Sequence, residues 1–306
     1  MLGSSAMHID PYIVLGSAIV GLLVGTTGAG GGALMTPMLI LLFSVKPSAA
    51  ISSDLVAAVL MRPVGAAVHF RKGTVHRGLV RWLVLGSVPM AFLGAYVLHT
   101  LGESNSAQTT VKQILGGALL VGASAMVLRF YLDTRSGQER LARAHEITTK
   151  PLPTLLIGMV GGVIVGMTSV GAGSLMIVLL LFAYPIIGAK QLVGTDLAQA
   201  VPLSLAAAIG ALVFGHVQFG VTTSLVIGSV PAVFVGSLLS SSAPDKWIRP
   251  VITFVIFASG LKYVGLDTTT LGWVLAGTLV LAGAVFAVRS LPPTSRLGFA
   301  TRRDSS

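Results

Sequence analysis

The stretch GTTGAGGGALM at residues 25–35 decides how this chain folds. Five of its first eight residues are glycine, and every residue from Pro11 to Phe43 is apolar or small. Glycine costs roughly 1 kcal/mol against alanine inside a helix, and each unpaired backbone group in hydrocarbon costs several kcal/mol more. A glycine run in such an apolar segment therefore marks a place where a membrane helix stops and other protein covers the backbone.

The composition is that of a membrane protein. Of the 306 residues 54% are hydrophobic and 10% are charged, and the mean hydropathy is +0.89. These values exclude an ordinary soluble protein, and uncharged runs of about 20 residues are long enough to cross a bilayer as helices. The absence of cysteine excludes disulfides, thiolate metal sites and cysteine nucleophiles. We predict an all-α polytopic membrane protein.

The chain contains two copies of one unit, offset by 141 or 142 residues. Four segments recur in the same order: VGTTGAGGGALM at 24–35 as VGMTSVGAGSLM at 165–176, SSDLVAA at 52–58 as GTDLAQA at 194–200, GTVHRG at 73–78 as GHVQFG at 215–220, and GSVPMAFLG at 86–94 as GSVPAVFVG at 228–236. Such ordered self-similarity indicates a duplicated fold. We predict a first repeat at 11–131, a cytoplasmic linker at 132–151, a second repeat at 152–265, and an extra helix with a basic tail at 266–306.

Each copy is predicted to begin with a glycine-broken hairpin, at 11–45 and 154–187, and to continue with three spanning helices. These spans are expected near 49–70, 79–99 and 111–131, and again near 190–213, 221–241 and 248–264. A last span near 269–289 belongs to neither copy.

The distribution of basic residues favours opposite orientations for the two copies. The loop RKGTVHRGLVR at 71–81 is strongly basic and is expected in the cytoplasm, whereas its partner at 215–220 has no Lys or Arg. If each broken segment returns to its starting side, the linker and the basic tail also lie inside. If it crosses once, the copies are parallel and the tail is outside. We predict inverted repeats with the N-terminus outside.

The glycine runs are also predicted to form the binding site. Two inverted hairpins would bring their tips together, and the helix N-termini near Gly30–Gly32 and Gly171–Gly173 would point bare amides at one central volume. Further donors next to these glycines are the hydroxyl groups of Thr26, Thr27, Thr168, Ser169 and Ser174. Such a volume suits a small anion. The alternative is that the glycines only allow close helix packing. A nucleotide loop is excluded because no Lys-Ser/Thr pair follows either run.

These motifs resemble the TauE/SafE family of membrane transporters, also called the sulfite exporter or toluenesulfonate uptake permease family. The resemblance covers residues 11–265 and includes the glycine-broken helix, SSD or GTD heading the next span, G-x-V-x-x-G and GSVP…G. It implies movement of sulfite, sulfonates or related anions across the bacterial inner membrane, with substrate and direction varying among members. The match places the motif glycines at Gly25, Gly28, Gly30, Gly166, Gly171 and Gly173, and the motif acids at Asp54 and Asp196. Ser52-Ser53 replaces the Gly194-Thr195 of the second copy, which puts equal roles for the two positions in doubt.

Polar groups within the spans complete the predicted site. Asp54 and Asp196 are equivalent by repeat and are predicted either to carry a coupled proton or to cap helices. Arg62 is predicted either to pair with an acid or to line the anion path, and Gln199 either to donate to a ligand or to satisfy a neighbouring helix. The predicted substrate-binding residues are Thr26, Thr27, Gly28, Gly30, Gly31, Arg62, Thr168, Ser169, Gly171, Gly173, Ser174 and Gln199.

The function predicted from these features is secondary transport, with export favoured, of a small sulfur-containing anion such as sulfite or a sulfoacetate-like sulfonate. The alternatives are a passive anion channel and an uptake permease for another small organic anion. An intramembrane hydrolase is a poor fit, since only Ser174 and His216 are available as a nucleophile and its base. We expect no enzyme activity, no cofactor, no metal and no nucleic-acid partner. A homodimer and a monomer both remain open.

Overall fold

A computed structural model describes residues 9–27, 31–71, 73–101, 104–136, 148–171, 173, 175–185, 187–239 and 245–290. Within these ranges the chain forms eleven helices and no strands, which confirms the all-α prediction. The predicted site residues Gly28, Gly30 and Ser174 lie outside the described residues.

The helices follow the predicted order in both copies. The first copy contains α1 (Pro11–Thr27), α2 (Gly32–Leu42), α3 (Pro47–Arg71), α4 (Arg77–Thr100) and α5 (Asn105–Ser136). The second copy contains α6 (Pro151–Thr168), α7 (Leu175–Ala183), α8 (Ala189–Phe214), α9 (Phe219–Leu239) and α10 (Asp245–Val264). The helix α11 (Thr268–Ser290) follows both copies. In each copy the glycine run separates two short helices, as its poor helix propensity predicts.

Several helices are suited to crossing a membrane. Among the described residues, six are long and apolar enough to do so: Pro47–Ala67, Arg77–Thr100, Asn105–Leu128, Pro151–Thr168, Gln191–Phe214 and Phe219–Leu239. Shorter apolar helices cover Pro11–Thr27, Gly32–Leu42, Pro250–Val264 and Thr268–Val280. The chain is therefore a multi-pass membrane protein.

The two arms of each broken segment run antiparallel. In the first copy, a Cβ on Gly16 of α1 would lie 2.9 Å from the Met38 sulfur and 3.6 Å from the Phe43 ring, both of which come after the break. In the second copy, Gly161 of α6 is covered in the same way by the Met176 side chain of α7. Because residues before and after each break are neighbours, each broken segment is a hairpin that turns back on itself.

The first arm of each hairpin packs against the other copy. Helix α1 lies against α9, and α6 lies against α4. Glycines allow the backbones to touch: the Val233 carbonyl occupies the space that a Cβ on Gly25 would need, and the Ala91 carbonyl does the same at Gly166. These two contacts are related by the repeat offset. The same reciprocity holds for Gly21 with Ser229 and Gly162 with Ser87, and for Gly236 with Leu22 and Gly94 with Val163.

Two further helices of the first copy pair with their own counterparts in the second. Helix α3 packs against α8, and α5 packs against α10. A contact in which each element meets its own equivalent is what a two-fold relation between the copies produces. Buried apolar side chains such as Leu55, Leu203 and Ala207 fill the space around the α3–α8 pair.

The chain divides into two compact units, one extending to Gly265 and the other beginning at Leu266. The second unit contains α11, whose first turn is capped by Asp267. The backbone N–H groups of Thr269 and Thr270 donate to Asp267 Oδ2 at 3.1 and 3.0 Å. Hydrogen bonds from Thr270, through its hydroxyl and its amide, hold the pKa of Asp267 below its ordinary value.

Candidate functional site

The two hairpin breaks meet inside the protein. The Ser169 carbonyl and hydroxyl fill the space beside Gly32, and a Cβ there would lie 2.6 Å from the Ser169 carbonyl carbon and 2.8 Å from its Oγ. Only glycine allows this approach. Ser169 ends α6 in a left-handed conformation with a φ of 58°, and its N–H donates to the Val165 carbonyl at 2.7 Å. The tip of the second hairpin therefore lies against the start of α2 in the first.

The start of α2 presents backbone donors to this junction. Leu34 and Met35 both donate to the Gly31 carbonyl, at 3.0 and 2.9 Å, and no side chain caps this turn within the described residues. The first N–H groups of a helix have no intrahelical acceptor and carry its positive end. In the second copy, Gly171 and Gly173 have φ values of 123° and 95°, so the backbone between α6 and α7 is unwound.

The predicted threonine donors hydrogen-bond within their own helices. Thr26 and Thr27 both donate to the Leu23 carbonyl, at 2.9 and 2.7 Å. Thr168 donates to the Ile164 carbonyl at 2.6 Å. A hydroxyl has one donor hydrogen, so in this conformation these side chains face any ligand only as acceptors. Among the described residues, the donors that remain at the junction are backbone amides and the Ser169 hydroxyl.

Asp54 lies on α3 beside the junction. The Thr36 hydroxyl, from α2, donates to Asp54 Oδ2 at 2.8 Å. The Ser169 hydroxyl faces the same carboxylate, but neither Ser169 Oγ nor Asp54 Oδ1 completes a hydrogen bond with any described residue. Both residues are only 1% exposed. The junction therefore contains two buried polar atoms without partners, which is rare in a folded protein and calls for a reason.

Asp196 has different surroundings from its counterpart. The Gln199 amide donates to Asp196 Oδ1 at 3.1 Å, and the Ser87 hydroxyl donates to the Gln199 carbonyl oxygen at 3.3 Å. All three residues are buried. The sequence left two roles open for Gln199, and the contact shows that it satisfies a neighbouring carboxylate and links α8 to α4.

Neither acid caps a helix. Helix α3 begins at Pro47 and α8 at Ala189, so Asp54 and Asp196 lie about two turns inside their helices. A side-chain N-cap must instead precede the first turn. Of the two roles left open for these acids, the helix cap is not the one found in this structure.

Arg62 lies between the two acids. It is 8% exposed, it donates to the Ala200 carbonyl of α8 at 3.3 Å, and it interacts electrostatically with both Asp54 and Asp196. A buried cation needs such partners, since an unpaired charge in a low-dielectric interior is costly. Its counterpart in the second copy is Ser204, so the site contains one arginine for two carboxylates.

Two further contacts join the copies on either side of these acids. The Gln218 N–H donates to Ser53 Oγ at 3.1 Å, and the His76 N–H donates to Thr195 Oγ1 at 3.0 Å. Ser53 and Thr195 are fully buried and precede Asp54 and Asp196 by one residue. These cross-copy latches, Ser53–Gln218 and Thr195–His76, are equivalent by the repeat offset. They connect the SSD or GTD motif of one copy to the G-x-V-x-x-G turn of the other.

Sequence reasoning did not identify the latch residues or Thr36. The latch residues lie in two motifs that occur in both copies. This repetition is a sequence signal that these residues have an equivalent role in each copy. Thr36 has no such signal, because its counterpart is Ile177 and its role depends on the packing of α2 against α3.

Comparisons with known proteins agree with a multi-pass membrane protein and identify its relatives as membrane transporters. The model of the family "Sulfite exporter TauE/SafE" matches residues 13–263. The chain is 37% identical over 253 residues to "Probable membrane transporter protein YjnA" of Bacillus subtilis, covering 82% of this chain and 98% of the relative. It is 21% identical over 249 residues to "Probable membrane transporter protein YdhB" of the same organism, covering 81% and 98%. A "Probable membrane transporter protein" of Xylella fastidiosa is 25% identical over 266 residues, covering 84% and 97%. No solved structure matches the chain significantly.

Proposed function

Because the chain belongs to the sulfite exporter TauE/SafE family of membrane transporters, we propose that it is a secondary transporter of a small sulfur oxyanion. Sulfite and a sulfonate such as sulfoacetate are the substrates that the family description and the site chemistry favour. The relatives' names state transport without a substrate, so the choice of anion rests on the family description and on the site. We place the protein in the bacterial inner membrane and favour export, driven by the anion gradient and the membrane potential.

We infer that the two copies have inverted topology. Each copy has a hairpin that returns to its starting side, followed by three longer helices. Three crossings place the start of the second hairpin on the opposite face of the membrane. The basic loop at 71–81 and the linker at 132–151 then both lie in the cytoplasm, in agreement with the positive-inside rule. The reciprocal α1–α9 and α4–α6 contacts are those expected of a two-fold axis in the membrane plane.

The observation that carries the proposed function is the junction of Gly32 and Ser169 beside Asp54, the acid with which Arg62 interacts. An oxyanion that leaves water needs charged or strong hydrogen-bond donors in exchange. The start of α2, which no described side chain caps, provides amides, and the Ser169 hydroxyl has no partner among the described residues. Arg62 supplies positive charge through its interaction with Asp54. We propose that the anion binds here, with Gly31, Gly171 and Gly173 providing close backbone approach.

The cross-copy latches favour a transporter over a passive channel. Each latch joins a turn of one copy to a buried hydroxyl of the other, and under the inverted topology the two latches lie towards opposite faces of the membrane. Alternating access requires separate closure on each side of a central site. A pair of equivalent contacts, one on each side of Asp54 and Asp196, fits that requirement.

Counterflow tests this proposal. Purified protein is reconstituted into liposomes loaded with unlabelled sulfite, and uptake of radiolabelled sulfite is followed. A transporter gives a transient accumulation of label above the external concentration, which a channel cannot give. Sulfoacetate and sulfate in the lumen define the preferred anion. Equilibration of the label without overshoot would support the channel, and no flux of any sulfur anion would contradict the proposal.

A further inference from the structure

We propose that Asp54, and not its repeat counterpart Asp196, carries a proton that is co-transported with the anion and that is shared with Ser169 at the hairpin junction. The inference rests on the proposed anion transport and names its coupling ion. It goes beyond the two-fold pattern of the sequence, because it assigns different roles to two equivalent acids.

The contacts of Asp54 provide a place for a proton. Thr36 occupies Oδ2 as a donor, while Oδ1 and the Ser169 Oγ are buried and have no partner within the described part of the chain. An ionised carboxylate can only accept hydrogen bonds, whereas a protonated one can donate one. A proton on Oδ1 would donate to the Ser169 Oγ and so satisfy both buried atoms with a single bond.

The contacts of Asp196 argue against a similar role for it. Its Oδ1 accepts a hydrogen bond from the Gln199 amide, which Ser87 in turn orients. An amide N–H donor favours the ionised carboxylate. The residue that corresponds to Gln199 in the first copy is Ala57, which cannot donate to Asp54. The two copies therefore differ in what surrounds their acids.

The charge balance of the site gives the reason for coupling. With Arg62 charged and both acids ionised, the cluster has a net charge of −1. Of the helices that pack on α3, the described part of α8 contributes Asp196, and α2, α6 and α9 contain no titratable side chain. The described titratable side chains of α4 and α5 are exposed, namely Arg77, Arg81, Tyr96, His99 and Lys112.

An incoming anion would therefore meet an already negative centre in a medium of low dielectric constant, where like charges repel strongly. Protonation of Asp54 makes the cluster neutral and removes this repulsion. Binding of the anion is then linked to uptake of a proton, and the affinity for the anion increases as the pH falls. An acidic exterior opposes export with the co-transported proton, so export requires an outward anion gradient, or for a dianion the membrane potential, that exceeds the opposing proton gradient.

Ser169 connects the proton to the hairpin. It ends α6 at the unwound break, and its carbonyl lies against Gly32 at the start of α2. A proton that joins Asp54 to Ser169 ties α3 to the tip of the second hairpin, next to the proposed anion site. After loss of the proton the Ser169 hydroxyl can only donate to the ionised carboxylate, so proton occupancy sets the direction of the hydrogen bond at the hairpin tip.

The test compares Asp54→Asn with the matched variant Asp196→Asn in proteoliposomes. An acid-outside pH gradient should drive accumulation of sulfite by the wild-type protein, and accumulation by Asp196→Asn should still depend on that gradient, although the loss of one negative charge from the cluster changes its affinity for sulfite. Asp54→Asn should lose this accumulation and keep counterflow, because asparagine mimics the neutral acid and can never release a proton. Accumulation by Asp54→Asn, or its loss only in Asp196→Asn, would overturn the assignment. Accumulation driven by a sodium gradient at constant pH would identify another coupling ion and would also overturn it.

A second measurement uses the unaltered protein and does not depend on the folding of any variant. Sulfite binding is measured by calorimetry in two buffers that differ in ionisation enthalpy. The proposal predicts uptake of up to one proton per bound anion and, where a full proton is taken up, an affinity that rises by about tenfold for each unit of falling pH. The proton balance is corrected for the titration of sulfite itself, and sulfoacetate is used in parallel. Binding without proton uptake would contradict the coupling and leave the proposed transport function standing, whereas absence of any counterflow would contradict transport.

Discussion

Arg62 is the buried positive charge at the centre of the proposed site. It is 8% exposed and interacts with one carboxylate from each copy. A cation that interacts with two ionised acids is also able to pair with an anion once one acid is protonated. The sequence left two alternatives for Arg62, pairing with an acid and contact with the anion. Its interactions with Asp54 and Asp196 are compatible with both.

Replacing Arg62 by glutamine tests its contact with the anion. We expect Arg62→Gln to weaken sulfite affinity by roughly 1.5–3 kcal/mol, the usual loss for a hydrogen bond to a charged group. The measurement is calorimetry on detergent-purified protein with an elution profile that matches the wild type. Unchanged affinity in a well-folded variant would mean that Arg62 serves only to pair Asp54 and Asp196.

Individual side chains show which contacts of the candidate site can be predicted from the sequence and which cannot. The repeat correctly marked Asp54 and Asp196 as unusual, because acids within apolar helices need partners. The identity of those partners depends on packing between distant segments, so Thr36 and the latch residues could not be predicted. Thr168 was expected to donate to a ligand, but a threonine in a helix readily donates to the carbonyl four residues earlier, as it does here.

At the scale of elements, the glycines occur in two structural settings, at the junction of the hairpins and at close contacts between helices. Gly31, Gly32, Gly171 and Gly173 border or interrupt helices at the junction. Gly21, Gly25, Gly162 and Gly166 instead lie within α1 and α6, where they allow close contact with α9 and α4. Both uses depend on the missing side chain. The positions of the helix breaks followed from sequence, whereas the partner of each glycine face did not.

Adding side chains to the helix contacts should destabilise the protein equally in both copies. The Ser229 carbonyl lies 2.8 Å from a Cβ placed on Gly21, and the Ser87 carbonyl crowds Gly162 likewise. We expect Gly21→Leu and Gly162→Leu each to lower the free energy of unfolding by about 1–3 kcal/mol, as overpacking does. The control is Gly117→Leu on α5, since a Cβ there meets no described atom within 4 Å. Unfolding in detergent measures the effect. Equal stability of all three variants would contradict the tight contacts.

Equivalent residues of the two copies make equivalent contacts up to Gly265, as the proposed two-fold relation between the copies predicts. Reciprocal helix pairs, equivalent latches and equivalent acids all follow the repeat offset. Departures from that relation occur where chemistry is proposed, at Arg62 opposite Ser204 and at Ala57 opposite Gln199. We propose that two equivalent copies allow the protein to alternate between two similar conformations, while the residues that differ between the copies bind one proton and one anion.

Inverted topology predicts which loops face the outside. Because the chain has no cysteine, single cysteines can be introduced and treated with impermeant thiol reagents on intact cells. Cysteines at Ser5 and Gln218 should react from outside, and those at Thr74, Gln138 and Ser295 should react only after the membrane is opened. Ser5, Gln138 and Ser295 lie outside the described residues but are suitable as reporters of sidedness. Reaction of the Ser295 position on intact cells would restore the parallel arrangement.

The most direct test of the site is the affinity of Gly32→Ala for sulfite, measured by calorimetry beside Gly117→Ala. A Cβ at position 32 would collide with the Ser169 carbonyl and push the two hairpin tips apart, whereas a Cβ at position 117 meets no described atom within 4 Å. Gly171→Val, at a φ of 123°, is a second variant that distorts the same junction. We predict that Gly32→Ala and Gly171→Val elute as folded protein and lose sulfite binding, while Gly117→Ala binds as the wild type does. Normal binding by folded Gly32→Ala and Gly171→Val would contradict an anion site at the junction of the hairpins.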